Sequence, residues 1–283
     1  MENRHIQIII APYDSGYRDW RMGRGPQYIL EHGLRNALVQ RGYNLASESI
    51  EVNLVTENAT AFAVCRALSE RVKVARETNA FPLLLTGNCG HALGTVAGLD
   101  TQKTGIVWFD AHGEFNTPDT TLSGFLDGMG LTTITGRCWQ ALAATVPGFK
   151  PVPDNHIVLV GVRDLDSEER TLLENSSVVR VSAAHVRDVG IQTAVVPQLE
   201  RLRQDVEQVY VHLDLDALDP SEAQANPFPA PHGLTVAEVK QAIEAVKARF
   251  RIAGTGLASY DPTCDADKRA LKAALELLGT LIE

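Results

Sequence analysis

Two stretches of this chain place metal-ligating side chains at alternate positions directly after apolar runs. The first is Ile106-Val107-Trp108-Phe109-Asp110-Ala111-His112-Gly113-Glu114. The second is Val209-Tyr210-Val211-His212-Leu213-Asp214-Leu215-Asp216-Ala217-Leu218-Asp219-Pro220. In an extended segment, residues two apart project to the same side, so Asp110, His112 and Glu114 converge, as do Asp214 and Asp216. Like charges beside an apolar core are costly unless a cation neutralises them. Carboxylate and imidazole together suit Mn²⁺, Zn²⁺ or Fe²⁺. These groups outnumber the ligands of one tetrahedral zinc; two ions sharing a bridging carboxylate would use them, and such a pair activates water near neutral pH. Asp219, before Pro220, is expected to shape the turn, and His212 to pack in the core.

A third stretch, Leu83-Leu84-Leu85-Thr86-Gly87-Asn88-Cys89-Gly90-His91, runs from an apolar strand through a Gly-rich turn. It has neither the Lys-Ser/Thr of a P-loop nor a complete GxGxxG, so it does not read as a nucleotide site. Cys89 lies nearest the strand end and is the candidate for the metal site, while His91 is expected to begin the next helix.

The elements that must position these residues alternate along the chain. Apolar runs predict strands at Ile6–Ala11, Pro82–Thr86, Gly105–Asp110, His156–Gly161, Val178–Ser182, Val209–Asp214 and Ile252–Ser259. Helical patterns fall at Pro26–Arg41, Ala59–Thr78, His91–Leu99, Ser167–Glu174, Thr193–Arg203, Val236–Ala248 and Ala266–Leu278. Runs with few polar breaks are those of strands buried on both faces, and the alternating order predicts an α/β fold with a mostly parallel sheet between helical layers. In such sheets, ligands bind beyond the carboxyl ends of the strands, where the three stretches above end. Pro220–Pro231 reads as a surface loop, and residues 1–283 as a single domain.

Composition narrows the function classes. The chain has 283 residues, 22% charged and 45% hydrophobic, with net charge −9. It has no block of Lys and Arg, which argues against nucleic acid as a partner. The four cysteines, Cys65, Cys89, Cys138 and Cys264, form no CxxC pair, and their sparse use fits a reducing compartment. The apolar run before Pro12 is too short for a signal peptide and no run approaches the ~18 apolar residues of a membrane span, so a cytoplasmic location is expected.

Taken in order, these motifs resemble the ureohydrolase family of arginase, agmatinase, guanidinobutyrase and formimidoylglutamase, over nearly the whole chain. The family pattern is Gly-Gly-Asp-His, then Asp-Ala-His-x-Asp, then Asp-x-Asp-x-x-Asp-Pro. Here Asp-Ala-His is Asp110–His112, and the last motif is Asp214–Pro220 without a break. Phe115-Asn116-Thr117-Pro118, Thr121 and Ser123-Gly124 resemble the family's substrate loop. Gly161–Asp166 with Glu169 resembles the segment that reads the substrate's amino group. The resemblance implies a three-layer α/β/α fold shared with deacetylase-like enzymes, paired Mn²⁺ ions, hydrolysis of a guanidino group to urea and an amine, and a homo-oligomer, often a trimer or hexamer. It assigns Asn116, Ser123 and Asp166 to the amino-acid end of a small substrate.

Four positions depart from the pattern. The metal-binding His of the Gly-rich turn is Cys89, as in relatives that act on N-hydroxyarginine; a thiolate favours a softer metal. The last Asp of Asp-Ala-His-x-Asp is Glu114. The catalytic His of Ser-Gly-Asn-x-His-Gly-Met is Asp127, which could shuttle a proton in its place. The Glu that pairs with the guanidinium is Ser259. The set Asp110, His112, Asp214 and Asp216 stays intact and also resembles the single-zinc site of deacetylase-like enzymes. Three readings follow: a hydrolase of a guanidino or N-substituted guanidino amino acid, a one-metal hydrolase of small amides, and a non-catalytic relative that binds a ligand or another subunit.

Overall fold

A computed structural model describes residues 5–101 and 103–283. Its strands are β1 (His5–Ala11), β2 (Tyr13–Asp14), β3 (Tyr17–Arg18), β4 (Asn44–Ser49), β5 (Phe81–Thr86), β6 (Thr104–Phe109), β7 (Ile157–Val162), β8 (Val179–Ser182), β9 (Gln208–Asp214) and β10 (Arg251–Ala258). Eight of them form one sheet in the order β4-β1-β5-β10-β9-β6-β7-β8, and every pairing in it is parallel. β2 and β3 form a small antiparallel ribbon.

The inner strands are apolar on both faces because both faces are covered. Alternate residues along one strand enter different cores. Val107 and Phe109 of β6 join one apolar cluster, with Leu199, Val239, Ile243, Ala274 and Leu278 from helices after residue 190. Ile106 and Trp108 join the other, with Phe62, Leu68, Val72, Leu93 and Val96 from helices before residue 100. The sheet is thus the middle of three layers, the α/β/α fold expected from the alternating pattern.

Seven strands fall where the apolar runs predict them. The eighth, β4, reads Asn-Leu-Ala-Ser-Glu-Ser and is polar because it lies at the sheet edge, where its residues are exposed or only partly buried. The expected helix over 26–41 is interrupted by a wide turn at Leu30–Leu34, with Gly33 at φ 144°. The one expected at Thr193–Arg203 is two short helices, Ile191–Ala194 and Val196–Leu202, the second opening on Pro197. The last helix starts at Arg269, later than expected, because the Asp265 carboxylate accepts the Ala270 and Leu271 N–H groups. Among the described residues, no helix is long and apolar enough to cross a membrane.

Candidate metal centre

Four neighbouring strands at the middle of the sheet, β5, β10, β9 and β6, end in the residues singled out above. β5 leads through Gly87 and Asn88 to Cys89, β10 to Ser259, β9 stops at Asp214, and β6 runs into Asp110. All four side chains are buried. Donor atoms of Cys89, Asp110 and Asp214 lie within 4.8 Å of one another, and so do those of Asp110, His112 and Glu114. Asp110 belongs to both groups. The two groups, sharing one carboxylate, have the composition of adjoining cation sites.

Each carboxylate is aimed by a local bond. Asp110 accepts the indole N–H of Trp108 on Oδ2 and the backbone N–H of His112 on Oδ1, both at 2.8 Å. Asp214 Oδ1 accepts the Asp216 N–H at 2.8 Å, and its Oδ2 accepts the Ser259 hydroxyl and lies 2.8 Å from Cys89 Sγ. Asp216 accepts the Ala111 N–H at 3.2 Å and the Asn226 amide at 3.1 Å. His112 Nδ1 sits 3.4 Å from Asp110 and 3.5 Å from Asp216. Glu114, at φ 52°, turns into the same pocket, and its Oε2 is buried without a hydrogen-bond partner.

The electrostatics show what this arrangement needs. Burial, then Asp216 and Asp110 beside it, pushes the Asp214 carboxyl well above the usual carboxylate range. Burial and the neighbouring Asp110 do the same to Glu114, and burial with Asp216 raises Asp110. Burial works against the charge of Asp216 too, yet His112 holds it below the usual range. His112 rises well above its ordinary value, because Asp216 and Asp110 outweigh its burial. Four buried carboxylates, one of them with an orphaned oxygen, therefore meet one imidazole. The hard oxygen donors fit a divalent cation, and Cys89 adds a soft donor at one side.

The residues with other expected roles are distributed around this pocket. The Asn116 amide donates to Asp166 at 3.1 Å, which brings those two together. Ser123 lies on an exposed loop, where its hydroxyl accepts the Phe125 N–H, and it bonds to neither of them. Asp127 is buried; it accepts the Gly90 N–H and the Asn88 amide, both at 2.7 Å, and burial pushes its pKa up to about 8. Glu169 accepts the Phe115 N–H at 2.8 Å and the Asp166 N–H at 3.3 Å, so it braces the loop after β6. Asp219 holds its turn through the Ser221 and Gly233 N–H groups, both at 2.9 Å, and His91 is buried with Nε2 3.2 Å from the Ser15 carbonyl. Asn88, Asn226 and His212 were not anticipated at the site. Asn226 lies in the loop after Pro220, and only the fold brings it to Asp216. His212, two residues before Asp214 on the same strand face, is buried as expected of a core residue and also reaches Cys89.

With this geometry in place, comparison with known proteins decides the family. The Arginase family model matches residues 4–282. The chain belongs to the arginase family. Its similarity to the arginase of Bacillus caldovelox is 31% identity, covering 98% of this chain and 97% of that one. It is 28% identical to an arginase of Staphylococcus aureus strain COL over 99% of this chain and 97% of the relative. The crystal structure of arginase from Bacillus subtilis superposes with a TM-score of 0.90 at 28% identity, covering 99% of this chain and 98% of that one. This arginase-family chain is thus a hydrolase of the metal-dependent, guanidino-directed type.

Proposed function

We propose that this chain is an amidinohydrolase acting on a small N-substituted guanidino amino acid, an N-hydroxyguanidine being the best fit. The single observation that carries the substrate reading is Ser259: its hydroxyl is donated to Asp214, in the place where the family pattern has a carboxylate for the guanidinium. A neutral serine cannot balance a buried cation, and an unpaired buried charge is strongly unfavourable. An N-hydroxyguanidine is less basic than arginine and needs less counter-charge.

Asp110, His112, Asp214 and Asp216, with Cys89 on the Asp214 side and Glu114 on the His112 side, would hold one or two divalent ions, Mn²⁺ by family analogy and Zn²⁺ or Fe²⁺ by the sulfur donor. Ions held by these residues would lower the pKa of bound water and so supply a nucleophile near neutral pH. Asn116 and Asp166, already bonded to each other, and Ser123 on its exposed loop would orient the amino-acid end. Asp127 sits on the Cys89 side with both oxygens fixed by Asn88 and Gly90. Held by those two bonds and buried beside the pocket, its carboxyl is placed to pass a proton to the leaving nitrogen. The family resemblance further implies a cytoplasmic homo-oligomer, a trimer or hexamer.

The test is turnover of N-hydroxyarginine and arginine, followed as urea release. N-hydroxyarginine should be preferred in kcat/KM, and Asp127→Asn should lower kcat by about 10²–10⁴-fold, the usual weight of general acid–base catalysis, with metal content unchanged. Efficient urea release from plain arginine that survives Asp127→Asn would contradict the proposal.

A further inference from the structure

Beneath the carboxylates, the same strands supply a second tier of side chains. Trp108 stands two residues before Asp110 and His212 two before Asp214, so each faces the side its carboxylate faces. Their rings stack with centroids 3.8 Å apart. Trp108 donates to Asp110. His212 serves the other side: its Nε2 lies 3.0 Å from Cys89 Sγ, and its Nδ1 lies 3.0 Å from the Tyr210 hydroxyl.

Proton bookkeeping orients this chain. Sulfur that ligates a cation has given up its proton and can only accept, so Nε2 of His212, 3.0 Å away, would carry the ring proton in the loaded centre. Nδ1 is left to accept from the Tyr210 hydroxyl. Tyr210, His212 and Cys89 thus form a directed series of donors ending on sulfur, and all three are fully buried. β10 makes room for it at Gly256, where a Cβ would overlap the Tyr210 hydroxyl.

We propose that His212 is the positioning residue for a sulfur ligand: its Nε2, fixed through Nδ1 by Tyr210, aims the Cys89 sulfur at the cation site, and so tunes that side of the centre toward Zn²⁺, Fe²⁺ or Co²⁺ over Mn²⁺. A thiolate is a soft donor, and hydrogen bonds to a ligand from behind fix its direction and basicity. The proton that Cys89 loses when it ligates goes to solvent. This inference rests on the reading of the pocket as a divalent-metal centre.

Cobalt tests both statements separately. Titrating Co²⁺ into metal-stripped full-length protein should produce a sulfur-to-cobalt charge-transfer band in the near ultraviolet, absent in Cys89→Ser. His212→Phe keeps a ring against Trp108 but removes the donor. It should shift that band and weaken Co²⁺ relative to Mn²⁺ by about 10- to 100-fold, the usual effect of losing a group behind a metal ligand. His212→Gln, which retains an N–H, should recover part of the loss. Tyr210→Phe, which leaves His212 in place, should change band and selectivity in the same direction, and it decides the matter should His212→Phe fail to fold. Stoichiometric Co²⁺ binding without a sulfur band, or a band and selectivity unchanged in these variants, would overturn the inference while leaving the metal centre standing. No binding of Co²⁺, Zn²⁺ or Mn²⁺ by the unaltered protein would overturn both.

Discussion

Glu114 shows how much of this site is held against its own preference. It combines a left-handed backbone, φ 52°, with a buried carboxyl whose Oε2 has no partner. Positive φ is uncommon for a residue other than glycine, and such strain persists where the surroundings impose it. A buried, unpaired polar atom costs about 1–3 kcal/mol. A divalent ion at the Asp110–His112–Glu114 group would give that oxygen its partner. Glu114→Gln keeps the shape but supplies no carboxylate, so it should bind Mn²⁺ more weakly, while its metal-free stability stays within about 1 kcal/mol of the parent because a buried polar atom is unpaired in both. Equilibrium urea unfolding with and without Mn²⁺ measures both. Equal Mn²⁺ affinity in variant and parent would remove Glu114 from the site. Ser259, at φ 63°, likewise departs from the family pattern in a left-handed conformation.

The secondary-structure elements decide where these residues end up, and here the sequence was readable in part. Apolar runs without polar breaks identified the buried strands, and alternation at their ends identified Asp110, His112, Asp214 and Asp216. Partners that approach from distant loops, Asn88 and Asn226, carry no periodic signal, and polar β4 has none of the apolar pattern that marks the inner strands. Glu169 was placed by resemblance near the substrate's amino group. In the fold its two oxygens are taken by the Phe115 and Asp166 N–H groups, and it reaches them past Gly113, where a Cβ would lie 2.6 Å from Glu169 Oε1. These bonds tie the loop after β6 to the helix Ser167–Glu174. Burial raises its pKa from 4.5 to about 7. A pKa raised on folding contributes stability that is complete below the unfolded value and is lost as pH rises through the folded one. Asp127, raised from 3.8 to about 8, acts in the same direction. His91 is buried and lowered from 6.5 to about 4, so its contribution is present above 6.5 and lost as pH falls through 4. The metal-free protein should therefore lose stability from about pH 5.5 to pH 8 as Glu169 and Asp127 ionise. Melting curves in EDTA across that range should show a falling Tm, with a shallower slope for Glu169→Gln. A Tm that rises over the same range would contradict this assignment.

At the scale of the whole molecule, three layers converge on one polar point. Strands from the centre of the sheet deliver like charges to a buried place, and the helices packed on both faces prevent those strand ends from separating. Such a fold stores electrostatic repulsion that a cation relieves, so metal binding and folding should be linked. An ion at 100 times its Kd stabilises the folded state by about 2.7 kcal/mol. For a chain of this length, that corresponds to a rise in Tm of about 5–10 °C. Chelation should lower Tm by a similar amount, and affinity should rise with pH, because Cys89 and His112 must give up protons to ligate. Whether these carboxylates form a metal centre is decided by a crystal structure of the metal-loaded protein with anomalous data collected at the metal edge. An ion bound by Asp110, His112, Asp214 and Asp216 at about 2.0–2.3 Å is expected, with Cys89 flanking it beside Asp214 and Glu114 beside His112. A loaded crystal with no anomalous peak between those side chains, or with the peak held by other residues, would contradict it.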